Sequence, residues 1–179
     1  MNPTVPDPAP DRRARTLREQ FDRSFALAPA LPPVGSVNLL TIRIGAEPYA
    51  IRLADIRGLY ADRRILPLPS RMPELLGVTG FRGQIVPVYQ LAALLGQSGA
   101  AVPRWMVLAL ASAPLAFAFD AFETHICAAA HQLIASGGGA ERPCEAVRTD
   151  AGVVPVLPMR ELVERIERCT GQAQRRDNG

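Results

Sequence analysis

Leu40-Thr41-Ile42-Arg43-Ile44-Gly45-Ala46-Glu47-Pro48-Tyr49-Ala50-Ile51-Arg52-Leu53-Ala54-Asp55-Ile56 has a second copy in the chain, Met106-Val107-Leu108-Ala109-Leu110-Ala111-Ser112-Ala113-Pro114-Leu115-Ala116-Phe117-Ala118-Phe119-Asp120-Ala121-Phe122. The two stretches align without a gap, Pro48 falls on Pro114, and seven apolar positions match in order. Within each copy the apolar residues alternate: Leu40, Ile42, Ile44, then Tyr49, Ile51, Leu53; Met106, Leu108, Leu110, then Leu115, Phe117, Phe119. Alternation on both sides of a turn predicts a β-hairpin with one buried and one wet face.

A second echo lies further along. Ile85-Val86-Pro87-Val88 precedes the helically spaced Leu91, Leu94 and Leu95; Val153-Val154-Pro155-Val156 precedes Met159, Leu162, Val163 and Ile166. An internal duplication is the signal to establish before naming a fold. Each unit offers about five short strands between Gly and Pro turns, which favours a small barrel. Proline cannot donate to a ladder, so Pro87 and Pro155 mark where a sheet ends or bends. Two barrels below about 70 residues each have small cores and must lean on a shared interface.

The flanks read differently. Residues 1–35 form an extension that is Pro- and Arg-rich at its start, expected to be disordered apart from a helical segment with Leu17, Phe21 and Phe25 on one face. Ala28–Pro33 is a Pro-rich linker that stops that helix. The ordered part spans 36–168 with a boundary between its barrels near residue 100, and 169–179 is expected to be a disordered tail.

Composition removes several function classes. Apolar residues make up 48% of the chain, enough for a real core, whereas aromatics are only 6%. Every one of the 20 basic residues is Arg, and they are scattered instead of gathered on one face as nucleic-acid binding requires. No apolar run approaches the roughly 20 residues that span a bilayer, so no membrane insertion is expected. Cys127, Cys144 and Cys169 form no CxxC pair, which argues against both a disulfide framework and a zinc site and points to a reducing cytoplasm.

The stretch Leu76-Gly77-Val78-Thr79-Gly80-Phe81-Arg82-Gly83-Gln84-Ile85-Val86-Pro87-Val88 resembles the CheW family, whose pattern here is apolar-Gly-apolar-x-Asn-x-Arg-Gly-x-apolar-x-Pro-apolar-apolar-Asp-Leu. Tyr49-Ala50-Ile51, Ile56-Arg57-Gly58-Leu59, Ile65-Leu66-Pro67-Leu68-Pro69 and Phe117–Phe122 extend the likeness, which covers about Val37 to Ile166. The resemblance implies two SH3-like five-stranded β-barrels packed together, mainly β with short helices. It implies a non-enzymatic cytoplasmic scaffold without cofactors. One barrel would bind the regulatory domain of a CheA-type histidine kinase. The tip of a chemoreceptor (methyl-accepting chemotaxis protein) would lie in an apolar groove between the barrels, and other CheW-like proteins are further partners. Protein-binding residues implied are Arg82, Gly83, Ile56, Leu59, Gly77, Pro87, Val88 and Phe122. The chain departs from the family at Gly80, where Asn is usual, at Gln90, where Asp is usual, and at Pro158 in the second echo. Gly80 and Gln90 motivate a variant reading, a competitor or cap that binds kinase or receptor without activating.

Taken residue by residue, Arg82 suits the holding of backbone carbonyls or a carboxylate through its planar fork; tying the turn together is the structural alternative. Gly77 and Gly83 allow positive φ or a close backbone approach. Ile56 and Leu59 serve either core packing or an apolar groove, since alternation cannot separate the two. Asp120, Glu123 and His125 are near in sequence, but Asp120 and His125 point to opposite faces of a strand, and no nucleophile motif accompanies them. Asp120 is expected to close a turn or pair with an Arg. His125 and His131 are read as surface residues and Gly137-Gly138-Gly139 as a loop, not a phosphate cradle. A nucleic-acid-binding barrel remains as the remote alternative, through the aromatic side chains.

Overall fold

The computed structural model describes residues 35–97, 103–135 and 145–177. The N-terminal segment with Leu17, Phe21 and Phe25, the loop around Gly137–Gly139 and Cys144 lie outside the described residues. Among the described residues there are eleven strands and two α-helices: β1 Val37–Ile44, β2 Glu47–Arg52, β3 Ile56–Ala61, β4 Leu75–Phe81, β5 Gln84–Gln90, α1 Leu91–Leu94, β6 Trp105–Ala109, β7 Ala116–Phe119, β8 Ala121–Ala128, β9 Leu133–Ala135, β10 Glu145–Thr149, β11 Gly152–Val156 and α2 Met159–Asp177. The helix α2 runs through residues 169–177, where the sequence reading expects a disordered tail.

The strands form two sheets, in the orders β8-β1-β2-β11-β10-β9 and β3-β6-β7-β5-β4. This is a mainly β fold of two SH3-like barrels. Both anticipated hairpins exist, but neither sheet is built from one repeat. The first sheet takes β1–β2 from the first repeat and β8, β9, β10 and β11 from the second; the other sheet takes β6–β7 from the second and β3, β4 and β5 from the first. The repeats have exchanged their C-terminal strands reciprocally, so the barrels do not divide near residue 100.

The prolines of the echo sit at the exchange points. β5 pairs antiparallel with β4, Val78 opposite Pro87, and meets β7 in parallel from Val88 onward. β11 does the same: Ala146 lies opposite Pro155, and Val156 meets Ala50 of β2 in parallel. A residue with no N–H is tolerated there because the second partner strand has not yet begun.

The hairpins themselves are one residue out of step. Ile42 pairs with Tyr49 in the first, and the gapless alignment makes their counterparts Leu108 and Leu115; the structure instead pairs Leu108 with Ala116. The first hairpin turns in two residues, with Gly45 at φ 60°, whereas the second needs the longer loop Leu110–Leu115. A one-residue slip reverses every side chain of a strand. Ile42 accordingly joins the core between the sheets while Leu108 faces the inside of its own barrel, and Leu110, the formal partner of buried Ile44, is 52% exposed.

The core explains a second departure from expectation. Each barrel interior is small: Leu39, Ala50, Ala128, Val147, Val154 and Val156 in one, and Val86, Val88, Met106, Leu108, Ala116 and Ala118 in the other. The largest buried cluster lies between the sheets, with Ile42, Ile44, Ile51, Val107, Phe117 and Phe119 packed against Leu91 and Leu94 of α1 and Met159, Leu162, Val163 and Ile166 of α2. The central hairpins are covered on both sides, so β7 is buried at all four positions instead of having a wet face. Small residues (Ala50, Ala116, Ala118) line the narrow barrel interiors and large ones fill the seam.

Candidate functional site

The tip of the β4–β5 hairpin gathers the most chemically distinctive surface. Phe81 pairs with Gln84, and Arg82 and Gly83 between them have φ 49° and 79°. Two positive φ values in a two-residue loop match the twist of the flanking strands. Gly83 adopts this conformation freely, whereas an arginine pays for it. The Arg82 guanidinium carbon lies 5.5 Å from the centroid of the Phe81 ring. Among the described residues it makes no hydrogen bond to a carbonyl or carboxylate, so none of them takes up the fork. Arg63 lies 5.6 Å from the Tyr60 ring and 5.8 Å from Phe81, and the two rings meet edge-on with centroids 4.8 Å apart. Two cations thus rest on one aromatic pair, an attraction through the ring quadrupole.

Gly77 holds the base of the hairpin. Its φ is 145°, and a Cβ there would stand 2.0 Å from the carbonyl oxygen of Leu66. This close approach lets Leu66 exchange two backbone hydrogen bonds with Val78, of 2.8 and 2.9 Å. Thr79 fixes the same strap by donating its hydroxyl to the Arg64 carbonyl at 2.9 Å. Leu66, Val78 and Pro87 therefore stand in a row across three segments of backbone, and Gly80 with its partner Ile85 forms the next row. Cross-strand partners share a face, so this outer face is apolar. Ile85 is 75% exposed, Leu66 51% and Leu68 47%.

The remaining expected residues lie elsewhere. Ile56 and Leu59 of β3 and Phe122 of β8 are half-buried against the core between the sheets, with Trp105 tilted against Phe122 at 5.5 Å. Val88 is wholly buried inside its barrel and Gly77 is buried too, so neither can touch a partner directly. The seam between the barrels, expected as an open apolar groove, is filled by the chain's own side chains along the large core. Tyr60, Phe81 and Trp105 are read in the sequence only as part of a set of aromatics, Arg63 as a loop charge and Ile85 as part of the echo, none of them as a protein-binding residue; the signal available was an apolar residue two positions after a tight Arg-Gly turn, on the face opposite Val86.

Charge pairs elsewhere are structural. Arg43 reaches Glu123 at 2.5 Å, Arg52 meets both carboxylate oxygens of Glu145, and Arg104 binds Asp62 at 2.8 Å. The hydrogen bonds that Arg104 donates to the Asp62 carboxylate, then the charge of Asp62, hold the Arg104 guanidinium above its ordinary value. Asp120 accepts the N–H of Gly45 and so closes the β1–β2 turn from outside it, one of the two roles expected. With Glu123 on Arg43 and His125 bonded to Asn38 at 3.1 Å, these three residues have separate partners and do not converge. No group of His, Cys, Asp or Glu able to hold a metal occurs among the described residues.

Comparison with known proteins sets this geometry in context. A family model described as CheW-like domain matches residues 38–167. Among solved structures, a crystal structure of the scaffolding protein TtCheW from Thermoanaerobacter tengcongensis matches with a TM-score of 0.61 and 16% identity, covering 68% of this chain and 88% of that one. That likeness extends to the fold. No curated protein matches.

Proposed function

Because the chain belongs to the CheW-like domain family, we propose that it is a scaffold that couples chemoreceptors to a CheA-type histidine kinase in a bacterial chemosensory array. What supports this reading is the family match across both barrels, residues 38–167, joined to an outer face that is apolar, Arg-rimmed and uncovered by the described residues. The kinase regulatory domain docks on a barrel; the receptor tip lies along the half-buried line of Ile56, Leu59 and Phe122 at the margin of the seam. The protein works in the cytoplasm and performs no catalytic step. No described helix is long and apolar enough to cross a membrane.

A scaffold transmits a receptor shift only through contacts that differ between the two signalling states. The apolar face supplies association free energy of about 25 cal/mol per Å² buried, before the cost of association. Purified chain added to receptor-containing membranes and kinase should raise kinase autophosphorylation several-fold, and Arg82→Ala should lose most of that gain. Unchanged kinase activity on adding the wild-type chain would remove this reading.

A competitor that binds without activating is the second reading, favoured by Gly80 and by Gln90. Gln90 precedes α1 and caps it with no side-chain hydrogen bond. If Gly80→Asn with Gln90→Asp turns an inactive chain into an activator, the competitor reading holds.

A further inference from the structure

We propose that Gly80 and Ile85 decide which kinase domain this chain accepts, as a notch and a knob on the outer face of the β4–β5 hairpin, matched to a protein surface apolar at its centre and acidic at its rim. The inference rests on the scaffold reading and names the chemistry of the kinase-side contact.

The notch is physical. Gly80 lies on an exposed strand position with no positive φ, and a Cβ built on it meets nothing within 4 Å. Beside it Ile85 stands 75% exposed, the barest large apolar side chain among the described residues, with Val78 and Pro87 in the next row. An apolar side chain from a partner can seat over Gly80 and cover one flank of Ile85, removing both from water.

The rim is cationic and uncompensated. Arg63, Arg64 and Arg82 are exposed, and none pairs with a carboxylate among the described residues; the adjacent Asp62 is already held by Arg104. Arg63 and Arg82 share the Phe81 ring, which keeps two like charges near each other. Carboxylates on the partner would meet charge-assisted donors fixed in place by that ring.

The chain holds its own comparison. In the equivalent β10–β11 hairpin the row Ile134, Ala146, Pro155 repeats the row Leu66, Val78, Pro87, and Val153 repeats Ile85. There the place of Gly80 is taken by Arg148, opposite Val153, so no notch exists. The two hairpins share a backbone pattern and differ in what they can receive.

The test uses the full chain, titrated separately with the regulatory domain of the CheA-type kinase from the same cell and with the receptor tip. Gly80→Leu fills the notch and Ile85→Ser removes the knob; thermal unfolding confirms that both remain folded. Each should weaken kinase binding about tenfold or more, as central contacts do, and leave receptor binding within about twofold. Arg63→Ser with Arg82→Ser should flatten the salt dependence of kinase binding, and Val153→Ser should leave kinase affinity unchanged. Wild-type affinity in both Gly80→Leu and Ile85→Ser overturns this inference alone, since wild-type binding of kinase and receptor would still support the scaffold reading. Weakened receptor binding with intact kinase binding overturns the assignment to the kinase, and a wild-type chain that binds neither partner overturns both.

Discussion

Val88 and Val156 occupy the same place in the two barrels: each is buried, each follows a proline, and each faces an alanine, Ala116 and Ala50 respectively, across a parallel pairing that joins the two repeats. Because each repeat contributes strands to both sheets, neither repeat can unfold without taking strands out of both barrels. The chain should unfold in urea as one transition. Val147→Ala in one barrel and Met106→Ala in the other should lower the same midpoint, and Phe117→Ala, in the core between them, should cost about 3–5 kcal/mol. Two separate transitions by circular dichroism and tryptophan fluorescence would contradict the exchange.

Gly77 and Gly80 are three residues apart on one strand and should respond oppositely to substitution. Gly77→Ala combines a positive φ with a Cβ 2.0 Å from a backbone oxygen, and should cost several times the roughly 1 kcal/mol typical of a point mutation. Gly80→Ala should stay within about 0.5 kcal/mol, as surface changes do. Thermal melts of the two variants side by side check this.

At the Arg82–Gly83 turn, stability and activity should separate. Arg82→Gly relieves an unfavourable φ and should leave the fold as stable or raise it by a few tenths to about 1 kcal/mol. The same variant should lose receptor-stimulated kinase activity. A variant that unfolds would instead make Arg82 a structural tie of the turn.

Asp120→Ala removes the acceptor for the Gly45 N–H and should cost about 1 kcal/mol, the net worth of a hydrogen bond. Hydrogen exchange at Gly45 should quicken, with the β4–β5 hairpin unaffected. Equal protection of that amide in the variant would show that the turn closes without it.

The duplication, the hairpins and the strand-to-helix echoes were legible in the sequence because alternation and proline position are local signals. The exchange was not, since pairing partners far apart in sequence leave no mark on either strand's own pattern. The slip between the hairpins hid behind a run of apolar residues: Met106, Val107, Leu108 and Ala109 are all buried, so the alternation that normally reveals a register is absent there. Among the expected site residues, Arg82, Gly83 and Pro87 come together on one hairpin, while Val88 points inward. An apolar residue on a strand has two possible faces, and only the register says which.

The exchanged strands also bear on how the protein tolerates dilution. One repeat on its own could complete its sheets only by trading strands with a second molecule, and such a pair would fall apart as its concentration dropped. Joining the two copies in one polypeptide replaces that encounter with a tether, whose effective concentration is on the order of millimolar for a short linker. A scaffold present at few copies per cell can then be whole before it meets anything else.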